Sequence, residues 1–237
     1  MKLFCLREKL GNKTTGYPKQ DVTLPARYRG RLVVDAARCE ADCTACIDAC
    51  PTSAISDIDG QGPKIDLGRC VFCTACTDAC PTGAIATTTE FRMATRTRED
   101  LIIGDAELRL AEQLDRKARS IFGHSLHLRQ VSAGGCNGCE AEINALNNVV
   151  FDLSRFGIQM VASPRHADGL LITGPVTANM RLALEKTYAA VPAPKLAIAI
   201  GACAISGGPF RDHPQVGNGA DSAVPIALYV PGCPPPP

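Results

Sequence analysis

The sequence contains no tryptophan, and aromatic residues make up only 5% of its 237 positions. Because hydrophobic residues nevertheless reach 46%, the core must be built mainly from aliphatic side chains. The formal net charge is only +1, so the chain lacks the surplus of basic residues that marks proteins binding nucleic acid or anionic membranes. We therefore expect no nucleic-acid partner.

Long apolar runs are also missing. A membrane-spanning helix needs roughly 18 apolar residues, whereas the longest runs here, such as Leu196–Ile200, have the length of a strand. The first eight residues bring in charge too early for the apolar part of a secretory signal, and no twin-arginine signal is present. We therefore expect a cytoplasmic chain.

Cysteine, in contrast, is abundant, with 13 residues. In a reducing cytosol, cysteines at this density indicate metal ligation rather than disulfides, and an odd number also argues against a fully paired framework. The length is sufficient for two modest domains, each with its own core. The cysteines are therefore interpreted as metal ligands.

An internal repeat dominates residues 39–85. The segment CTACIDACPTSAI at 43–55 returns as CTACTDACPTGAI at 73–85. With Cys70, the second copy has the C-x2-C-x2-C-x3-C-P spacing of two-cluster ferredoxins, in which one loop supplies three thiolates and the last cysteine ligates the other cluster. Pro51 and Pro81 turn the chain away after that last cysteine. The spacing predicts two 4Fe-4S clusters, one held by Cys39, Cys43, Cys46 and Cys80, the other by Cys70, Cys73, Cys76 and Cys50.

The first copy departs from this spacing, because three residues rather than two separate Cys39 from Cys43. We expect this loop to bulge by one residue and its cysteines still to ligate a cluster. The hydrogen bonds to this cluster, and hence its reduction potential, should differ from those of the cluster in the second copy. Two four-cysteine zinc sites are the alternative, since C-x2-C pairs also bind zinc. Zinc ribbons rarely need triple-cysteine loops that end in Cys-Pro, which favours iron.

Together with Tyr17-Pro18 and the segment LPARYRGRL at 24–32, the repeat resembles the two-cluster subunit of respiratory complex I and its hydrogenase relatives over residues 14–90. The resemblance implies an α+β ferredoxin-like domain. We assign residues 1–31 to an extended arm, 32–92 to this domain and 93–123 to a helical connector. Apolar residues at helical spacing predict an amphipathic helix over 101–122 within the connector.

The second half, residues 124–237, alternates short aliphatic runs with helical segments. Strands are predicted at residues 126–131, 158–162, 170–173, 196–200 and 226–230, and helices near 140–156 and 179–190. This alternation predicts an α/β doubly wound parallel sheet, of the flavodoxin-like type. Four cysteines follow predicted strands, and the carboxyl ends of parallel strands share one ligand-binding edge. We therefore expect Cys136, Cys139, Cys203 and Cys233 to converge there on a third 4Fe-4S cluster.

Four motifs of this half occur in order: GGCNGCE at 134–140, SPRHAD at 163–168, TGPVT at 173–177 and VPGCP at 230–234. Over residues 124–235 they resemble the small subunit of group 4, energy-converting nickel–iron hydrogenases of the formate hydrogenlyase and hydrogenase-4 type, a relative of the complex I 20 kDa subunit. The resemblance implies that the third cluster is the proximal one, facing a nickel–iron centre in a separate large subunit, so this chain has no catalytic residue. Complex I carries two adjacent cysteines where Asn137 and Gly138 separate them here, which favours hydrogenase.

The resemblance also implies partners and a location. The partners are a nickel–iron large subunit, integral-membrane antiporter-like subunits and an electron donor such as formate dehydrogenase, CO dehydrogenase or ferredoxin, on the cytoplasmic face of the inner membrane. Electrons would run through the clusters to or from the partner's site, where protons and hydrogen interconvert. Two alternatives stay open: a complex I-like quinone or ferredoxin oxidoreductase module without hydrogen chemistry, and a free ferredoxin-type carrier.

Several polar residues share the predicted strand-end edge. Glu142, Arg165 and His166 are candidates to tune the third cluster or line the partner interface, with ordinary structural roles about equally expected. No ligand-like spacing links the other histidines, so structural or surface roles are expected for His124, His127 and His213. Cys5 is not assigned to a cluster and is interpreted as a small buried hydrophobe.

Overall fold

A computed structural model describes residues 11, 14–40, 42–57, 62–104, 108, 110 and 125–237. In the first half, the described residues form strands β1 (Leu32–Val34), β2 (Ile55–Asp57), β3 (Pro63–Asp66), β4 (Ile85–Thr87) and β5 (Ile102–Ile103), with helices α1 (Ala45–Asp48) and α2 (Ala75–Ala79). In the second half they form β6 (Leu126–Ser132), β7 (Ile158–Met160), β8 (Gly169–Thr173), β9 (Leu196–Ile200) and β10 (Leu228–Val230), with α3 (Gly138–Ala145), α4 (Ala178–Ala190) and α5 (Gly201–Ser206). In the described part of the chain, no helix combines the length and apolarity needed to cross a bilayer.

Both copies of the repeat fold in the same way. In each copy a short helix, α1 or α2, follows the cysteine loop, and a strand, β2 or β4, follows the Cys-Pro turn. Strand β4 pairs antiparallel with β1, whereas β2 pairs antiparallel with β3, which in turn pairs with β5. This arrangement is the ferredoxin-like α+β part predicted from the repeat.

The five strands of the second half form one parallel sheet in the order β10-β9-β8-β6-β7. This confirms the α/β prediction, because strands β8 and β9 are buried along their whole length and need helices or loops over both faces. The order reverses between β6 and β8, which are paired in register from Leu128↔Gly169 to Ser132↔Thr173. A ligand is expected beyond the carboxyl ends at such a reversal.

The predicted helix over residues 140–156 is wrong in length, because α3 ends at Ala145. Beyond it, the Asn148 side-chain oxygen accepts hydrogen bonds from the backbone N–H groups of Val150, at 2.7 Å, and Phe151, at 3.1 Å. Asparagine side chains compete with helical hydrogen bonding in this way and favour turns. The predicted helix over 101–122 lies mostly outside the described residues, and at its start Ile102–Ile103 form β5 instead.

Part of the predicted N-terminal arm lies on the second half of the chain. The backbone N–H of Thr15 donates to the carbonyl of Val150 at 2.8 Å, and Arg155 donates to the carbonyl of Tyr17 at 2.9 Å. The ring of Tyr17 also meets Phe91 edge-on, with 5.8 Å between centroids. Described residues 14–17 thus connect the two halves.

The two halves share a hydrophobic core. One cluster of buried side chains combines Leu67 and Leu101 from the first half with Ile205 and Tyr229 from the second. The backbones of Thr95 and Tyr229 exchange two hydrogen bonds of 3.0 and 2.9 Å, and Thr95 is fully buried. The cysteine sites of the two halves are therefore held on a single packed body.

Asp66 ties the start of the second cysteine loop to this shared region. Its two carboxylate oxygens accept hydrogen bonds of 2.8 and 2.6 Å from Arg98, and Oδ1 also accepts from the backbone N–H of Gly68 at 2.9 Å. The side chains of Asp66 and Arg98 are only 15% and 21% exposed, so water screens the pair incompletely.

We expect Asp66→Ala to lower the free energy of unfolding by about 2 kcal/mol, because hydrogen bonds to charged groups contribute roughly 1.5–3 kcal/mol. The measurement is urea unfolding followed by circular dichroism on the cluster-loaded protein. The control is Glu185→Ala, which breaks the exposed pair between Arg181 and Glu185 and should cost about 0.5 kcal/mol. Equal losses in the two variants would contradict the structural role given to Asp66.

Candidate iron–sulfur sites

The first site is built around the loop of the first repeat copy. Four thiols line a common space that also borders Pro63 and Ile85, with about 280 Å³ free of protein atoms; they are those of Cys39, Cys43, Cys46 and Cys80. Burial raises the pKa of the Cys39 thiol, and the nearby thiols of Cys43 and Cys80 raise it further. The thiols therefore lie close enough to repel one another when they ionise.

The second site has the same construction in the second copy, with about 320 Å³ free of protein atoms. Its thiols are those of Cys50, Cys70, Cys73 and Cys76. Leu32, Ile55 and Ile65 line the same space and give it an apolar wall. Burial, opposed by a hydrogen bond from Phe72 and reinforced by the neighbouring thiols, raises the pKa of Cys70 to about 12.

The fourth cysteine of each copy crosses to the other copy's loop. Cys80 lines the space of the first loop and Cys50 that of the second, which is the exchange that the spacing predicts. Backbone N–H groups hold both sulfurs in place, since Ala84 donates to Cys80 and Ala54 donates to Cys50, each at 3.2 Å. Such N–H groups facing sulfur are the contacts that tune an iron–sulfur cluster.

The two cysteine loops differ in backbone conformation one residue beyond Cys43 and Cys73, just after the stretch in which their lengths differ. Thr74, in the second loop, has a φ of +70°, whereas its counterpart Thr44 has −106°. In the second loop the N–H of Phe72 donates to the sulfur of Cys70 at 3.3 Å. That clusters bound at the two sites differ in reduction potential stays a prediction.

The third site lies at the carboxyl edge of the parallel sheet. The cysteines there come from the loop after β6, the start of α3, helix α5 and the loop after β10; they are Cys136, Cys139, Cys203 and Cys233. Burial raises the pKa of Cys139 to about 12, and Cys203, Cys233 and Cys136 raise it further by repulsion. Cys136 and Cys233 are exposed, and the other two are half-buried. The site thus opens to the protein surface.

Glycines let the chain pass close to these sulfurs. A Cβ atom on Gly201 would lie 2.5 Å from the sulfur of Cys139, and one on Gly208 would lie 2.9 Å from the sulfur of Cys203. Gly201 also has a φ of +85°, in the left-handed region that other residues rarely adopt. Glycine at position 201 therefore lets the chain pass from β9 into α5, which carries Cys203, without a clash against the sulfur of Cys139.

The donor chemistry of the three sites fits 4Fe-4S clusters. Each of the twelve cysteines that the structure describes is free, and each site gathers four thiols. Burial and mutual repulsion disfavour the ionised form of these thiols. Four thiolates at one site therefore require a positively charged group between them. Across the described ranges no three His, Cys, Asp or Glu side chains are grouped to hold one metal ion. Four thiols around a shared space are the donor set of a cubane.

The other predicted residues have mixed positions. Arg165 and His166 are exposed on a single 3-10 turn after β7, which Ser163 caps, and Glu142 is half-buried on α3. A role for these three beside the third site stays a prediction. His127 contacts Asp168 at 3.4 Å, and His213 accepts a backbone hydrogen bond, which are the structural roles expected of them. His124 and Cys5 lie outside the described residues.

One residue of this region that was not predicted from the sequence is Glu140, which directly follows Cys139. This carboxylate is only 7% exposed and accepts hydrogen bonds from Ser132, at 2.6 Å, and Thr173, at 2.7 Å. Burial acts to raise the pKa of Glu140, but these hydrogen bonds outweigh it and the pKa lies below its ordinary value. The available signal was the pair of hydroxyl residues at the carboxyl ends of two apolar strands.

Comparison with known proteins matches both halves. The 4Fe-4S dicluster domain model matches residues 38–85, and the model of the NADH ubiquinone oxidoreductase 20 kDa subunit matches residues 136–237. Formate hydrogenlyase subunit 7 of Escherichia coli is 50% identical over 113 residues, which is 48% of this chain and 44% of that protein. The matched region thus spans less than half of that relative's length.

Two further relatives are matched over more of their length. The probable membrane-bound hydrogenase subunit mbhJ of Pyrococcus furiosus is 44% identical over 116 residues, 49% of this chain and 70% of that protein. An NADH-quinone oxidoreductase subunit of Bacteroides fragilis is 36% identical over 151 residues, 59% of this chain and 76% of that protein. The chain belongs to the family of the NADH ubiquinone oxidoreductase 20 kDa subunit, a family of oxidoreductase subunits, and it carries a 4Fe-4S dicluster domain ahead of the family's own domain.

Proposed function

We propose that this chain is the electron-transfer subunit of a membrane-associated nickel–iron hydrogenase complex of the group 4 type. In that role it relays electrons through three 4Fe-4S clusters to or from the nickel–iron site of a partner large subunit. The observation that carries the proposal is the third four-thiol site, which opens at the sheet edge with Cys136 and Cys233 exposed. The similarity to formate hydrogenlyase subunit 7 and to a membrane-bound hydrogenase subunit supports it.

The proposal assigns twelve cysteines as cluster ligands. Each bound cluster supplies one-electron chemistry, and the chain sets its potential through burial, hydrogen bonds and nearby charge. The ligand sets are Cys39, Cys43, Cys46 and Cys80 for the first, Cys70, Cys73, Cys76 and Cys50 for the second, and Cys136, Cys139, Cys203 and Cys233 for the third. The shared spaces lined by the first two sets support this division.

One direct contact joins the chain segments that carry the second and third sites. The hydroxyl of buried Ser206 donates to the carbonyl of Gly68 at 2.9 Å. Gly68 precedes Cys70 by two positions and Ser206 follows Cys203 by three, so one hydrogen bond joins the segments that carry a ligand of each site. A Cβ atom on Gly68 would lie 2.7 Å from Ile205, so only glycine permits this approach.

The proposed partners follow from the function. They are a nickel–iron large subunit at the open third site, integral-membrane antiporter-like subunits, and a donor such as formate dehydrogenase, CO dehydrogenase or ferredoxin. The complex would lie on the cytoplasmic face of the inner membrane.

Within the chain, we propose an arm at 1–31, the ferredoxin-like domain at 32–92, a connector at 93–123 and a flavodoxin-like domain at 124–237. The strand order of the second half supports the flavodoxin-like assignment.

A complex I-like module without hydrogen chemistry is the second candidate. The match to the NADH-quinone oxidoreductase subunit of Bacteroides fragilis over 151 residues favours it. The separation of Cys136 from Cys139 by Asn137 and Gly138 favours the hydrogenase instead, since adjacent cysteines are the pattern of complex I.

To decide between the hydrogenase and the complex I-like module, the native complex is purified through a tag on this chain. Hydrogen-dependent reduction of a viologen dye by this complex is then measured. We expect dye reduction under hydrogen and a co-purifying large subunit with paired C-x2-C motifs. Reduction by NADH or reduced ferredoxin without any response to hydrogen would overturn the hydrogenase proposal and favour the complex I-like module. A monomer in gel filtration of the native material would favour a free carrier.

Iron analysis tests the number of clusters. We expect about 12 iron atoms per chain in the native complex, because three clusters contain four irons each. Anaerobic colorimetric iron and sulfide assays on protein quantified by amino-acid analysis give the ratio. A value of roughly eight iron atoms per chain would contradict a third cluster. Stoichiometric zinc would contradict the electron-transfer function altogether.

A further inference from the structure

Glu140 is a buried carboxylate at the reversal point of the parallel sheet. Its Oε1 atom accepts a hydrogen bond from Ser132, the last residue of β6, and another from Thr173, the last residue of β8. These two residues are direct neighbours in the strand register, and Thr173 is fully buried. The two hydroxyls therefore fix the carboxylate at the carboxyl ends of two adjacent strands.

The surroundings of this carboxylate keep its negative charge. Two hydroxyl donors at 2.6 and 2.7 Å stabilise the ionised form, which accepts both hydrogen bonds on one oxygen. Among the described residues its side-chain partners are these hydroxyls rather than an arginine or lysine, so no ion pair neutralises the charge. A buried charge acts at longer range than an exposed one, because less water screens it.

The charge lies close to the third group of thiols. Glu140 directly follows Cys139 in the first turn of α3, so the two side chains leave adjacent positions of the same backbone. Its Oε1 atom also lies 3.2 Å from the position that a Cβ atom would take on Gly135, the residue before Cys136. The buried carboxylate thus lies against the backbone that leads into Cys136 and directly follows Cys139 in the chain.

We propose that the buried carboxylate of Glu140 holds the reduction potential of the third cluster low. The inference rests on the proposed function, in which this site holds a 4Fe-4S cluster. Adding an electron to an anionic cluster costs more when a fixed negative charge lies nearby. Glu140 is in this role a positioning residue that acts through charge, distinct from the thiol ligands. A low potential at this site favours delivery of electrons to the partner.

The test is a redox titration of the purified complex, followed by electron paramagnetic resonance of each cluster. Glu140→Gln keeps the shape and an oxygen acceptor for both hydroxyls but removes the charge. We expect its third cluster to be reduced about tenfold more readily at a given potential, equivalent to about 59 mV for one electron. The other two clusters should titrate as in the unmodified complex. Glu185→Gln, on the exposed face of α4, controls for loss of a charge and should shift nothing.

Two further variants with a shortened side chain at position 140 separate the effect of the charge from the effect of packing. Both Glu140→Asp and Glu140→Asn shorten the side chain, but only the first keeps the charge. The third cluster should titrate at a higher potential in the Asn variant than in the Asp variant, and this comparison decides the matter if the Gln variant does not assemble. Equal potentials in the two variants, or an unshifted Gln variant with its signal intact, would overturn the role of Glu140 and leave the proposed function standing. Absence of a third signal in the unmodified complex would instead overturn the proposed function.

Discussion

Cys139→Ala is expected to remove the third cluster and abolish electron flow to the partner, while the first two clusters remain. Cys139 is one of the two half-buried thiols of its site, and its neighbours Cys136, Cys203 and Cys233 cannot complete a four-thiolate set without it. The iron content should fall from about 12 to about eight per chain. Electron paramagnetic resonance should show loss of one signal, and the complex should lose hydrogen-dependent dye reduction.

The first two sites should survive this change because their ligands and linings come from the other half. Aliphatic side chains of β1, β2 and β3 line the second site, and β4 contributes to the first. Cys43→Ala is the reciprocal control, which should remove the first cluster and leave the third. Loss of all three signals in the Cys139 variant would contradict the proposed division of the chain into two cluster-binding domains.

Gly201→Ala is expected to have the second-largest effect, although the substitution adds a single methyl group. That methyl would lie 2.5 Å from the sulfur of Cys139, and the backbone at this position has a φ of +85°. The chain must then shift either the ligand or the start of α5, which carries Cys203. We expect occupancy of the third site to fall, with iron approaching eight per chain and a weakened third signal.

Gly104→Ala is the matched control for this substitution. A Cβ atom there would lie 3.5 Å from its nearest neighbour, on Lys64, which is an ordinary contact distance. This variant should keep its full iron content. Full iron in the Gly201 variant as well would show that α5 adjusts freely, and that the close passage beside Cys139 is not needed for assembly.

Local spacing made the first two sites predictable. Three ligands of each lie within eight residues, and the proline after the fourth directs it away, so chemistry and chain geometry suffice without knowledge of the fold. The third site required one more rule, that the ends of parallel strands meet at one edge. Aliphatic runs marked those strands well, and the predicted strand at 196–200 coincides with β9. The helix at 140–156 failed because the side chain of Asn148 forms a turn that helical periodicity does not reveal.

The sequence by itself determined which cysteines lie together, that one half is ferredoxin-like, and that the other is an α/β sheet with four cysteines at its edge. These features depend on short-range spacing and on the alternation of apolar runs, both of which are written along the chain. The tertiary structure alone decided that Thr95 pairs with Tyr229, that Ser206 reaches Gly68, and that Ser132 and Thr173 enclose Glu140. Apart from the hydrogen bond between Ser132 and Glu140, those contacts join residues far apart in sequence. They depend on strand order and packing, which no local pattern encodes.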